Sequence, residues 1–285
     1  ISYANCGLPY YIGGEIKRRS ALTLQTPESF GRRFNIDVRV NSEVVGIDRA
    51  AKRVTVLAGG ERYTESYDKL IYCPGARPVV PEGGRGEGCF TLRTVEDAFA
   101  IDDYIKSRRP ATAIVAGGGF IGLEAAENLA ARGIKVTLVQ GGRQVLPQVD
   151  YDMACFLHAE VRKNGVELRL SSRVTSIEGG KEVAVHTAGG DFSADMCIVA
   201  LGVLPDTRLA EEAGLRLGIK GAVVTDCHMR TSDPDIYAAG DAVRIVNAVT
   251  GKDALFALAG PANKQGRIAA DNICGIASRY AGGMG

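Results

Sequence analysis

Apolar and polar residues alternate along four short runs near the start of the chain, over 36–40, 43–48, 53–57 and 62–67, with turn residues such as Gly59-Gly60 between them. Period-two alternation places successive side chains on opposite faces, so these runs predict a small antiparallel meander. Residues 69–73 are then apolar without alternation and stop at Pro74-Gly75, which predicts a buried strand ending in a turn. Pro78, Pro81 and a glycine-rich stretch through Gly88 follow, and predict a crossing between domains.

From Thr112 the pattern changes to strand, glycine turn, helix and strand, over 113–116, 117–122, 123–131 and 135–139. A helix over 150–164, a strand over 166–170 and a hairpin over 174–191, closed near Gly189-Gly190, come next. The run 196–200 reads as a buried strand that ends at Leu201-Gly202-Val203-Leu204-Pro205. A late strand ends in Gly240-Asp241, and a helix is predicted over 261–277. The boundaries expected from these shifts are 1–77, 78–220 and 221–285.

Gly117-Gly118-Gly119-Phe120-Ile121-Gly122 is a G-x-G-x-x-G motif lying between a strand and a helix, the context in which it binds a dinucleotide. Gly117 permits the tight turn, Gly119 lets a pyrophosphate approach the backbone, and Gly122 lets helix pack on strand. A tight turn without a ligand is the alternative. At the end of the second strand Gln140 stands where an acid would bind the adenosine ribose of NAD. Arg143 follows, either pairing with the 2′-phosphate of NADPH or lying solvated on a loop, so NADH and NADPH both remain open.

Composition narrows the classes. The 285 residues are 46% hydrophobic and 24% charged, with a net charge of +1, enough for two cores and without the basic stripe that nucleic acid or a membrane surface would need. Seven scattered cysteines and three histidines have no disulfide-framework or zinc spacing, so no metal site is expected and the setting is read as reducing and cytoplasmic. There is neither a signal peptide nor a membrane-spanning apolar run.

One cysteine stands apart. Cys6 lies in Ser2-Tyr3-Ala4-Asn5-Cys6-Gly7-Leu8-Pro9-Tyr10-Tyr11, just before a proline-initiated apolar stretch that predicts a helix start. A thiol facing the positive end of a helix dipole is in a setting that suits a nucleophile. The alternative is a small buried hydrophobe.

This opening resembles the active-site segment of the single-cysteine flavoprotein disulfide reductases, and within them the coenzyme A disulfide reductase branch, which reads Ser-x-x-Asn-Cys-Gly-Leu-Pro-Tyr-Tyr. The later segments follow in the order of that family over nearly the whole chain. The resemblance implies an α/β fold with two Rossmann-like nucleotide-binding domains of the glutathione-reductase type, the FAD domain incomplete. About 40 residues, a βα unit and a strand holding the FAD pyrophosphate, are expected to be missing before Ile1. A dimerisation domain is expected beyond Gly285, so the intact enzyme would be a homodimer. This chain alone is therefore expected to hold FAD weakly or not at all.

The resemblance further implies hydride transfer from NADH or NADPH to FAD, and from FAD to a disulfide between Cys6 and a small thiol. The substrate is a disulfide of coenzyme A, or a related persulfide or polysulfide. Ser2 and Asn5 would orient the sulfur, and Glu124 would lie near flavin and carboxamide. Phe120 would gate the nicotinamide beside Ile121. Cys73, Pro74 and Gly75 would lie near the FAD, Gly240 and Asp241 would bind its chain, and the helix after Ala259-Gly260-Pro261 would point at its pyrimidine. Phe120 reads alternatively as core, Glu124 as an acid answering the helix dipole, Tyr10 and Tyr11 as core, and Lys17, Arg18 and Arg19 as a solvated face rather than contacts to coenzyme A phosphates. An NADH oxidase or peroxidase that cycles Cys6 through a sulfenic acid is the competing activity. A silent nucleotide-binding fragment is the competing class.

Overall fold

The computed structural model describes residues 2–284. Contacts divide the chain into two units, Ile1–Val38 with Pro78–Gly202, and Arg39–Arg77 with Val203–Gly285. This division differs from the sequence boundaries at 77 and 220: residues 1–38 join the unit of the glycine motif, and residues 203–220 join the other.

In the first unit five parallel strands lie in the order Glu167–Arg169, Lys135–Val139, Thr112–Ala116, Met196–Val199 and Cys89–Thr91. The central strands are buried along their length, as a parallel sheet covered on both faces requires. On one face Ala113, Val115, Val136, Leu138, Met196 and Ile198 pack against helices. These are α1 (Leu8–Gly13), α3 (Val95–Arg108), α4 (Phe120–Ala131) and α5 (Tyr151–Lys163); the exposed α2 (Pro27–Phe34) precedes α3 in the chain. On the other face Ile114, Ala116, Cys197 and Val199 meet Ile177, Val183, Val185 and Ala194 of an antiparallel meander, Val174–Glu178, Val183–Thr187 and Phe192–Ala194.

That meander corrects the expected single hairpin. The turn at Gly189-Gly190 joins the second and third strands, and Gly179-Gly180 joins the first two. The glycine-rich stretch before Gly88 is also more than a crossing. Glu82 bridges Ser176, and a Cβ on Gly83 would lie 1.7 Å from the Ile177 carbonyl oxygen. Its glycines thus allow backbone to pack on backbone.

In the second unit Ser42–Asp48, Arg53–Ala58 and Glu61–Ser66 form the predicted antiparallel meander. Residues 36–40 do not join it; Ile36 and Val40 are exposed, and no strand pairs with them among the described residues. Leu70–Tyr72 runs parallel to Ile236–Ala238, and Val223–Val224 parallel to Val243–Val246. Tyr72, Met229, Ile236, Tyr237, Val243 and Ala269 make its core, with α6 (Arg208–Glu212) and α7 (Ala259–Ile273) around it.

Helix α1 is held within the first unit by fit. A Cβ on Gly13 would lie 2.0 Å from Asn128 Oδ1, and Asn128 is buried on α4, where its Nδ2 donates to the Glu124 carbonyl. Gly13→Ala is expected to destabilise the protein by about 1–3 kcal/mol, read as a lower thermal midpoint. In an Asn128→Ala background the same change should cost less, because contacting residues are not additive.

Candidate functional site

The glycine motif sits at the carboxyl edge of the parallel sheet, where open α/β sheets bind ligands. Gly117 has φ +115°, and a Cβ there would lie 2.2 Å from the Ala200 carbonyl oxygen of the neighbouring strand. A Cβ on Gly122 would lie 1.8 Å from the Gly117 carbonyl oxygen. Both positions therefore exclude side chains for reasons of packing. Gly119 differs: a Cβ there would meet nothing within 4 Å, and its φ of −82° is open to any residue. The space above Gly119 is the cradle a phosphate would enter. Gly202, at the end of the adjacent strand, also faces open space.

The start of α4 is bare, unlike those of α2 and α3. Helices α2 and α3 close their own first amides with capping boxes, Thr26 with Ser29 and Thr94 with Asp97, and carry acids in the first turn. Helix α4 has neither a side-chain cap nor an acid there. Its unpaired amides and positive dipole end are thus available to an anion. Phe120 is 58% exposed, which sets aside the core reading, and Ile121 is exposed beside it. Glu124, one turn on from Phe120, is half-buried; burial, and then Glu127, raise its carboxyl pKa.

Gln140 takes a role that its residue type alone does not reveal. Its Oε1 accepts from the Gly118 amide at 3.0 Å and its Nε2 donates to the Gln144 carbonyl at 3.0 Å, so both ends tie the glycine turn to the loop beyond the second strand. Gln144 in turn donates to the Val149 carbonyl at 2.8 Å, and His158 Nε2 accepts from the Val145 amide at 3.2 Å. Burial, and then Arg162, lower the His158 pKa, keeping the imidazole in the neutral form this bond needs. Gln144 and His158 carry no local sequence signal for this task. Arg143 stacks its guanidinium over the Tyr151 ring, 4.7 Å from the centroid.

Cys6 lies in the same unit, exposed on the 3₁₀ turn Asn5–Gly7 that leads into α1, with Asn5 exposed and Ser2 half-buried. The turn is closed by the Gly7 amide donating to the Ala4 carbonyl at 2.9 Å. Pro9 falls in the first turn of α1, as expected. Tyr11 is buried and Tyr10 partly exposed; Arg19 pairs with Asp103 and lies 4.5 Å over the Phe99 ring, so it is not a free surface charge.

In the second unit three predicted segments converge. Register pairs Tyr72 with Ala238, so Cys73-Pro74-Gly75 and Ala239-Gly240-Asp241 leave the carboxyl ends of neighbouring parallel strands together. The Ala239 amide donates to the Tyr72 carbonyl at 3.2 Å. Buried Gln265 of α7 accepts from the Gly240 amide at 2.8 Å, and a Cβ on Gly240 would lie 3.9 Å from Ala262 in the first turn of that helix. Helix α7, like α4, starts without a side-chain cap or an acid, and Ala259 there is exposed while Pro261 is half-buried. Small residues, an open helix start and exposed Cys73 and Pro74 suit the close approach of a nucleotide chain. Among the described residues no group of three or more His, Cys, Asp and Glu is placed to hold a metal ion, and no helix is long and apolar enough to cross a membrane.

The profile of the pyridine nucleotide-disulphide oxidoreductases matches residues 1–266. The chain is similar to reduced Bacillus anthracis CoADR-RHD, with 46% identity and a TM-score of 0.95, over 99% of this chain and 52% of that one. It is 36% identical to a protein named NADH oxidase from Methanocaldococcus jannaschii, over 98% of this chain and 63% of that one. It is also 36% identical to a CoA-dependent NAD(P)H sulfur oxidoreductase from Pyrococcus abyssi, over 100% of this chain and 64% of that one. The chain thus spans about half to two-thirds of the length of these relatives. With the match running over 266 of its residues, the chain belongs to the pyridine nucleotide-disulphide oxidoreductase family.

Proposed function

We propose that the protein is a FAD-dependent NAD(P)H oxidoreductase that reduces a disulfide of coenzyme A, or a related persulfide or polysulfide, through Cys6. The observation that carries this reading is an exposed, free cysteine on a turn of the same unit that presents an open glycine cradle for a dinucleotide. The names of similar proteins, coenzyme A-dependent sulfur oxidoreductase among them, support the substrate class. A reducing, cytoplasmic setting is part of the proposal, read from seven cysteines scattered along the chain. A homodimer is part of the same proposal.

Gly119 and the first amides of α4 would receive the dinucleotide pyrophosphate, with Gly202 beside it and Phe120 and Ile121 at the mouth. Arg143 is the candidate partner of a 2′-phosphate, and Gln140 holds the turn in place. Gly240, Asp241, the Cys73-Pro74-Gly75 turn and the start of α7, with Ala259 and Pro261, would hold FAD. When bound, FAD supplies two-electron transfer between nicotinamide and sulfur. The Cys6 thiolate attacks one sulfur of the substrate; the substrate S–S bond breaks, a Cys6 mixed disulfide forms, and the other thiolate leaves and takes a proton. Two electrons originating from NAD(P)H then cleave the mixed disulfide to the Cys6 thiolate and the second thiol. Ser2 and Asn5 would orient the sulfur, and Glu124, whose carboxyl pKa burial raises, would hold a proton near the nicotinamide.

The relative named NADH oxidase favours a second reading, in which Cys6 cycles through a sulfenic acid. Oxygen consumption with NADH, in the absence of any disulfide, separates the two.

In the full-length protein, Cys6→Ser is expected to abolish release of coenzyme A thiol from its disulfide, followed by a thiol assay, while NAD(P)H continues to reduce an artificial dye. A hydroxyl cannot form the mixed disulfide. Thiol release at near wild-type rate would make Cys6 structural. Gly119→Ala is expected to leave the thermal midpoint almost unchanged but weaken NADH binding, measured by calorimetry, at least about ten-fold, because its Cβ enters the cradle. Gly122→Ala should instead lower the midpoint sharply. Arg143→Ala is expected to weaken NADPH and spare NADH in the same titration.

A further inference from the structure

A buried carboxylate ties the Cys6 segment to the nucleotide-binding helix. Asp102 on α3 is 3% exposed. Its Oδ2 accepts from Tyr11 Oη of α1 at 3.0 Å and from Lys106 Nζ at 2.6 Å, and its Oδ1 accepts from Arg132 Nη1 at 2.9 Å. Arg132 caps the end of α4, and the same Nη1 donates to the Ile12 carbonyl of α1 at 2.9 Å. Arg19 Nε, in turn, donates to Tyr11 Oη at 3.3 Å. One carboxylate therefore gathers donors from three helices, two of them bearing on the six residues of α1.

A helix that short has no stability of its own. Leu8, Tyr11 and Ile12 bury it against the common core, and Gly13 packs closely on Asn128. The hydrogen bonds from Tyr11 and to Ile12 add directional restraints to that fit, and Cys6 stands on the turn immediately before the helix. Burial alone would push the Asp102 carboxyl up; Lys106, Arg132 and Tyr11 outweigh this and hold it below the usual range, so that it stays ionised.

We infer that Asp102 is a positioning residue for Cys6: through Tyr11 and Arg132 it holds the thiol-bearing turn in fixed register with the helix that carries the glycine motif. This rests on the reading of Cys6 as the redox thiol. A small misplacement of a reacting group costs rate far more than it costs binding of a remote substrate.

The test uses the full-length protein with Asp102→Asn, which keeps the shape and removes the charge, together with Tyr11→Phe and Cys6→Ser. Asp102→Asn should lower kcat for coenzyme A disulfide by about ten-fold to a hundred-fold. Its KM for NAD(P)H and its dye reduction should stay within about two-fold of wild type, a split that general loss of folded protein does not produce. Tyr11→Phe should shift the same parameter less. Hydrogen exchange of the amides over 8–13 should rise in Asp102→Asn while exchange over 112–131 is unchanged. The inference is overturned if Asp102→Asn turns over disulfide normally while Cys6→Ser is inactive, or if disulfide and dye rates fall together. Turnover retained by Cys6→Ser overturns the redox reading instead, and unchanged exchange over 8–13 then overturns the positioning role on its own.

Discussion

Helix α4 meets the parallel sheet so closely that a methyl group at Gly122 would sit 1.8 Å from the Gly117 carbonyl oxygen, and much of the first unit follows from that approach. At this junction the first turn of the helix carries no side-chain cap, and Phe120 within it is exposed. The far end of the same helix delivers Arg132 to α1 and α3. A single close backbone contact thus sets both the open end and the tethered end of one helix.

The contrast among helix starts is chemical as well as geometric. Where a helix serves the scaffold, as α2 and α3 do, Thr and Ser or Asp side chains satisfy the first amides. Where a helix faces a candidate nucleotide site, as α4 and α7 do, the sequence supplies Gly-Phe-Ile-Gly or Ala-Gly-Pro instead, leaving donors unspent and the dipole unanswered. Bare helix starts are locally costly, and their occurrence at both sites fits a ligand of negative charge.

Much of this was legible along the chain wherever the signal is local. The βαβ unit around Gly117 shows each of its parts in order, and the strand ends at Pro74 and Asp241 are marked by their own turn residues. Helix α3 is absent from the reading by period, because its apolar stripe is weak, although Thr94-x-x-Asp97 marks its start. Other features depend on distant partners. The alternation over 36–40 looks like a strand, but a strand exists only where another pairs with it. Gln140 announces a missing acid without announcing that it bonds to Gly118 and Gln144. Glycine content near Gly83 reads as a flexible crossing, whereas Gly86 and Gly179 lie there backbone on backbone. Composition cannot separate freedom from close approach.

The grouping of residues 1–38 with the unit of the glycine motif carries a thermodynamic consequence. Leu8, Tyr11 and Ile12 share one core with Ala125, Ala126 and Leu129 of α4, so opening the Cys6 segment exposes part of the surface that supports the glycine motif. Any ligand that binds only the closed form stabilises it in proportion to the logarithm of its concentration over Kd. Occupancy of the cradle would therefore suppress local opening of the thiol-bearing segment without touching it, while the thiol itself, exposed in the closed form, stays within reach of a substrate.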